Sequence, residues 1–143
     1  MRNSQGSELH LDIRVPNRTK YLKLVGNIAE LVASEIDIAA SKRDALAYHL
    51  NLVVTEAVTN AIQYGRKSAA KAKVRILLLY TNKDLCVRVY DHGTGFDLDS
   101  AGPPDDLLSE RGRGLFLIRW PMDSIEYYKT KSGNILEMKK RVE

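Results

Sequence analysis

Between Leu50 and Gly65 the chain reads LNLVVTEAVTNAIQYG. At ~100° per residue, Leu46, Leu50, Val53, Val54, Ala57, Ala61 and Tyr64 share one arc of a helical wheel, the pattern of a core-facing stripe. A helix of this kind must lay its arc against another layer. Glu56 and Asn60 fall along one margin of the arc, one turn apart, where a helix lines a cleft rather than faces open solvent. A carboxylate and a carboxamide at i and i+4 project side by side. The pair suits a hydrated hard cation such as Mg²⁺, or a base beside an orienting group. An isolated ExxxN is common on solvated helices, so the rest of the chain must supply its context.

The covering layer is legible as strands. Leu9, Leu11, Ile13 and Val15 alternate with polar residues up to Pro16, and Val74, Ile76, Leu78 and Tyr80 do the same before the polar turn TNKD. A further strand, LCVRVYD, puts Leu85, Val87 and Val89 on one face, and period two carries that face on to Asp91. An acid at the strand end then points the way the apolar residues point, toward the helices. Two closing strands, Ser124 to Thr130 and Ile135 to Lys140, join through a turn at Ser132, Gly133 and Asn134. A first helix, with Asn17 as N-cap and Tyr21, Leu24, Val25, Ile28, Leu31 and Val32 as its apolar face, runs to about Ile36. Gly26 weakens it slightly, and Ser41 with Asp44 forms a weak capping box ahead of the long helix.

A chain of 143 residues fits one domain with a sizeable core. Residues 1–8 read as a polar tail and residues 9–143 as the domain. The one cysteine, Cys86, excludes an internal disulfide and suits a reducing compartment. The start lacks an apolar segment, and no stretch approaches the roughly 18 apolar residues of a membrane span, so the expectation is a cytoplasmic protein without a membrane partner. The formal charge of +4 is spread along the chain, and its last basic cluster, Lys139 to Arg141, reads as a solvated strand end rather than a nucleic-acid patch.

Glycine punctuates the chain at two informative places. DHGTGFD places Gly93 and Gly95 directly after Asp91, where a ligand can approach the backbone closely. RGRGLFLI places Gly112 and Gly114, flanked by Arg111 and Arg113, just before an apolar helix, whose first N–H groups would face an anion. Between them, Phe96 to Arg111 is long for a connector in a small domain and reads as a lid.

TEAVTNAIQYG, DHGTGFD and RGRGLFLI resemble the N, G1 and G2 boxes of the GHKL ATPase superfamily. VPNRTKYLKLV, the spacing to the first box, and LIRWPMDSIEY followed by a glycine turn and a final strand narrow the likeness. They resemble stand-alone anti-sigma factor serine kinases of the RsbW and SpoIIAB type. The resemblance covers nearly the whole chain from Leu9. It implies an α+β fold of the Bergerat type, a two-layer sandwich whose mostly antiparallel, mixed sheet is covered on one face by helices, with an ATP lid between the glycine motifs. By the same resemblance Glu56 would be the general base, Asn60 would hold Mg²⁺, and Asp91 would accept from the adenine amine. Gly93 and Gly95 would lie beside the purine, with Arg111, Gly112, Arg113 and Gly114 at the ATP phosphates. The implied function is phosphorylation by ATP of a small anti-sigma-factor antagonist of STAS type in a partner-switching pathway, with a sigma factor as second partner and a homodimer as the assembly. The alternative is a nucleotide-binding module that sequesters its partner without phosphotransfer.

The chain departs from the family pattern at Tyr64, where His is common, and at Asn134, where Thr often follows the last glycine. His10, His49 and His92 lie in no phosphoacceptor helix, which argues against a complete sensor histidine kinase.

Overall fold

The computed structural model describes residues 9–65, 73–91, 122–130 and 133–142. Outside them lie residues 1–8, the basic connection after Gly65, both glycine clusters, His92, the stretch expected as a lid, the residues expected as an apolar helix (Leu115 to Ile118) and residues 131 and 132 of the expected last turn.

In chain order the elements are β1 (Leu9–Pro16), a one-turn 3-10 helix (Thr19–Tyr21), α1 (Leu22–Glu35), α2 (Ala40–Gly65), β2 (Lys73–Thr81), β3 (Asp84–Asp91), β4 (Ser124–Thr130) and β5 (Gly133–Arg141). The strands form one sheet in the order β1-β2-β3-β5-β4, and each of the four pairings is antiparallel. Among the described residues, therefore, the expected mixed sheet is an antiparallel one. The α+β, two-layer arrangement holds, with α2 packed on β2 and β3 and α1 on α2.

Alternation decides which sheet face the helices take. Val74, Ile76, Leu78 and Tyr80 of β2, Leu85, Val87 and Val89 of β3, and Leu136 and Met138 of β5 are all buried, and the ladder sets them in facing rows. The opposite face carries Arg75, Arg88, Tyr90 and Glu137, the last buried at 7% exposure. Burial is the strongest single influence on the Glu137 carboxyl and pushes it up, but hydrogen bonds from Arg88 and Tyr128 together with the charges of Arg88 and Lys139 outweigh it and leave the group below its ordinary value. The Arg88 Nε to Glu137 Oε2 distance is 2.5 Å.

The sheet turns as the sequence implies. Asn82 and Lys83, at φ 52° and 67°, make a two-residue loop between the paired Thr81 and Asp84, the type I′ geometry that matches strand twist. Arg141 fastens this end, its Nη1 donating to Asn82 O at 3.0 Å and Asp84 Oδ1 at 2.9 Å, so the basic cluster at the end of β5 is partly tied down.

The helices differ from expectation in instructive ways. Asn17 caps nothing: the chain first makes the 3-10 turn, α1 starts at Leu22, and its N-cap, Tyr21, makes no side-chain cap bond. The buried face of α1 is Val25, Gly26, Ala29, Val32 and Ala33, while Leu24 and Leu31 are 51% and 66% exposed. Gly26 marks a close approach to α2. A Cβ on Gly26 would lie 2.6 Å from Asn51 Oδ1 and 2.8 Å from Thr55 Oγ1, so the glycine admits α2 rather than merely weakening α1. On α2 the buried set includes Val58 and Ile62 besides the expected stripe, because this helix is covered by both the sheet and α1. Of Tyr64, the side chain lies outside the described part.

Two stability predictions follow from this packing. Gly26→Ala gains up to ~1 kcal/mol of helix propensity but forces apart the Thr55–Asn51–Glu30 hydrogen-bond chain. We expect a net loss of about 1–2 kcal/mol, read as a lower urea midpoint. Lys83→Gly relieves an L-residue held at positive φ and should raise stability by roughly 0.5–1 kcal/mol in the same assay.

Candidate functional site

The C-terminal half of α2 holds the site's acid and amide. Asn60 is 3% exposed, and its Nδ2 donates to the Glu56 backbone carbonyl at 3.0 Å. The amide thus folds back along its own helix instead of bonding the Glu56 carboxylate. With the nitrogen committed, the side-chain oxygen is the end left for a ligand. A neutral oxygen donor is an atom type that a hydrated Mg²⁺ accepts. Among the described residues no group of three or more His, Cys, Asp or Glu side chains could hold a metal. A cation at Asn60 would therefore draw further ligands from water and from whatever anion it accompanies, and the site chemistry fits such a cation.

Glu56 is half-buried and, among the described residues, its carboxylate makes no hydrogen bond or ion pair. Burial raises its carboxyl above the ordinary carboxylate value. An acid that the fold partly desolvates and does not neutralise is a poor solubility device and a good proton acceptor. Burial here also carries a stability sign. The raised folded-state value means that this contribution to stability is present below the unfolded carboxyl value and is lost as pH rises through the folded one.

Asp91 occupies the last position of β3 and is 4% exposed, on the face the core strands present to the helices. The inward parity read from LCVRVYD is correct. Across the ladder its partner is Asn134, 6% exposed, whose Nδ2 donates to Asp91 Oδ1 at 2.9 Å. The sequence marked Asn134 as a turn residue and a departure from a pattern, whereas the structure places it in β5. Its location opposite Asp91 follows from the β3/β5 register, which no local signal specifies. Glu56, Asn60 and Asp91 thus all belong to the helix–sheet layer. Gly93, Gly95, Arg111, Gly112, Arg113 and Gly114 lie outside the described residues.

A hollow of about 390 Å³ at this end of the sheet is lined by Arg14, Lys73, Arg75, Tyr90, Asp91, Thr130, Gly133, Asn134 and Ile135. Its floor is fixed by Arg75, which forks onto Asp12 at 2.9 and 3.0 Å and stands 5.0 Å over the Tyr90 ring. Because Arg75 and Tyr90 alternate with core residues, this hollow faces away from Glu56 and Asn60. His49 is half-buried with its ring edge-on to Tyr48, and His10 is exposed on the outer face of β1. No helix among the described residues is long and apolar enough to cross a membrane.

Comparison with known proteins agrees with the α+β fold. Residues 15–140 match the family described as "Histidine kinase-like ATPase domain". A serine-protein kinase RsbW of Staphylococcus aureus is 31% identical, with 96% of this chain and 90% of that protein covered. RsbW proteins of Listeria monocytogenes serovar 1/2a and Staphylococcus epidermidis are each 28% identical, over 90% and 96% of this chain and 85% and 90% of their own lengths. With a family match across the sheet and both helices, and relatives covered nearly end to end, the chain belongs to the histidine kinase-like ATPase family, on the branch of the RsbW-type serine-protein kinases.

Proposed function

We propose that the protein is an ATP-dependent protein serine/threonine kinase that acts as a cytoplasmic anti-sigma regulator, phosphorylating a small STAS-type antagonist and binding a sigma factor as its other partner, as a homodimer. The observation that carries this reading is Glu56, a partly desolvated carboxylate without a partner among the described residues, one turn from the buried Asn60. Family membership and the printed activity of the relatives support it.

In this reading the antagonist's serine or threonine hydroxyl stands beside Glu56. Its oxygen attacks the γ-phosphorus of ATP as the proton passes to the Glu56 carboxylate, and the bond to the ADP oxygen breaks. Transfer of this kind needs positioning and charge stabilisation more than covalent chemistry. Asn60 would hold Mg²⁺, which supplies charge neutralisation at the phosphates. Asp91 would accept from the exocyclic amine of the base. Gly93, Gly95, Arg111, Gly112, Arg113 and Gly114 complete the proposal as the purine and phosphate contacts.

The test is transfer of phosphate from ATP to a candidate antagonist with Mg²⁺ present. Glu56→Gln should lower the transfer rate by about 10²–10⁴-fold while leaving ATP binding within a few-fold. Unaltered transfer by that variant would remove Glu56 as the base. ATP binding with no phosphoprotein formed on any partner would instead indicate the sequestering module.

The raised Glu56 carboxyl gives a pH signature of its own. The single-turnover rate should climb through a pH above the usual glutamate range, as the base ionises. Glu56→Gln should melt at a higher temperature than the parent at pH 7, where the parent's half-buried charge is costly, and the gap should close near pH 4. Parallel melting curves at both pH values would contradict the burial argument.

A further inference from the structure

We propose that the sheet face turned away from α2 carries an anion site of its own, in which Arg14, Lys73 and Arg75 bind a dianionic phosphate group, free or as a small phosphate ester. None of these three cations has a part in the transfer reaction proposed above, so the inference stands apart from it.

Register brings the cations together. Arg14 of β1 stands directly opposite Arg75 of β2, and Lys73, two residues before Arg75, stands opposite Pro16. Period two puts all three side chains on the face that α2 does not cover. Like charges directly across a ladder are destabilising, so this pairing costs stability unless something neutralises it. Asp12 does so in part. Its carboxylate takes the Arg75 fork at 2.9 and 3.0 Å, but Arg14 comes no closer to it than 3.9 Å. Lys73 forms no ion pair among the described residues. Asp91, the acid in the hollow's lining, is 4% exposed and bonded by Asn134. Positive charge is therefore left over at the β1/β2 side.

Two further features distinguish this patch from a solvated cluster. The cations ring a hollow of about 390 Å³, a volume in the range of small-molecule sites. The central donor is also held in advance, because the Asp12 fork and the Tyr90 ring, 5.0 Å away, fix the Arg75 guanidinium from two sides. Little side-chain freedom is then lost when a ligand arrives. The fork engages Nε and Nη2, which leaves the Nη1 edge facing the hollow's contents.

These donors select the ligand's chemistry. A guanidinium edge matches the paired oxygens of a tetrahedral phosphate, and Lys73 adds a compact charge beside it. A dianion gains from several cations at once, whereas chloride gains from one. Tyr90 and Ile135, also in the lining, offer an apolar wall to the carbon body of an ester.

The experiment follows melting and calorimetric binding of the full chain with sodium phosphate and with glycerol 3-phosphate, against sodium chloride at equal ionic strength. Both phosphate probes should raise the melting temperature above the chloride control. Tighter binding of glycerol 3-phosphate would name an ester as the ligand, and the reverse order would name free phosphate. Arg14→Gln combined with Lys73→Gln, both at exposed positions, should weaken phosphate binding by roughly tenfold or more and leave ATP affinity within about twofold. Without added anion this double variant should melt no lower than the parent, because like charges have been removed. In phosphate the order should reverse, which a purely structural role for the two side chains would not produce. Equal gains from phosphate in parent and variant, or a chloride gain that matches phosphate, would overturn the proposal. ATP affinity that falls in step with phosphate affinity would overturn it too, by merging the hollow with the nucleotide site. Loss of the kinase reading, by contrast, would leave each of these measurements and its meaning intact.

Discussion

The register of β3 between β2 and β5 is the constraint on which the site depends. Side chains along a strand alternate with period two, and a slip of one residue would move the whole apolar set to the wrong face. Leu85, Val87 and Val89 are each no more than 1% exposed, so burial of this row holds β3 in place. Asp91 is carried to the helix side by the same parity, at the cost of putting an acid where the strand would otherwise place an aliphatic residue. The neighbouring strand meets that cost with the polar residue its register sets opposite, Asn134.

The helix layer shows a similar exchange of comfort for function. α1 approaches α2 closely at Gly26, where a Cβ would meet Asn51 and Thr55, and α2 is covered by α1 on one side and by β2 and β3 on the other. Wide burial of α2 is what leaves Asn60 enclosed and Glu56 half-enclosed. Natural sites are often found where a fold keeps a group that its stability alone would discard.

Much of this was legible in the sequence, and the rest was hidden for identifiable reasons. Strands β1 to β5 announced themselves by alternation and turn residues, and the inward aim of Asp91 followed from counting. Of the expected face of α1, Val25 and Val32 are buried and Tyr21 and Ile28 pack partly against the core, while Leu24 and Leu31 are exposed and the small residues Gly26, Ala29 and Ala33, which a count of large apolar side chains passes over, are buried instead. Asn17 looked like a helix cap, but its side-chain oxygen is buried without a hydrogen-bond partner among the described residues, beside a 3-10 turn that periodicity does not register. Val58 and Ile62 form a second stripe that becomes meaningful only when two layers cover one helix. Asn134 was invisible as a partner of Asp91, because 43 residues separate them in sequence and only the paired strands bring them together.

Order along the chain and order across the sheet differ, since β5 follows every other described strand yet lies inside the sheet, between β3 and β4. Leu136 and Met138 of β5 stand opposite Val89 and Val87 and are buried with them, so the strand that the chain supplies last completes the apolar rows of the strands before it, and without it β3 would present an open edge.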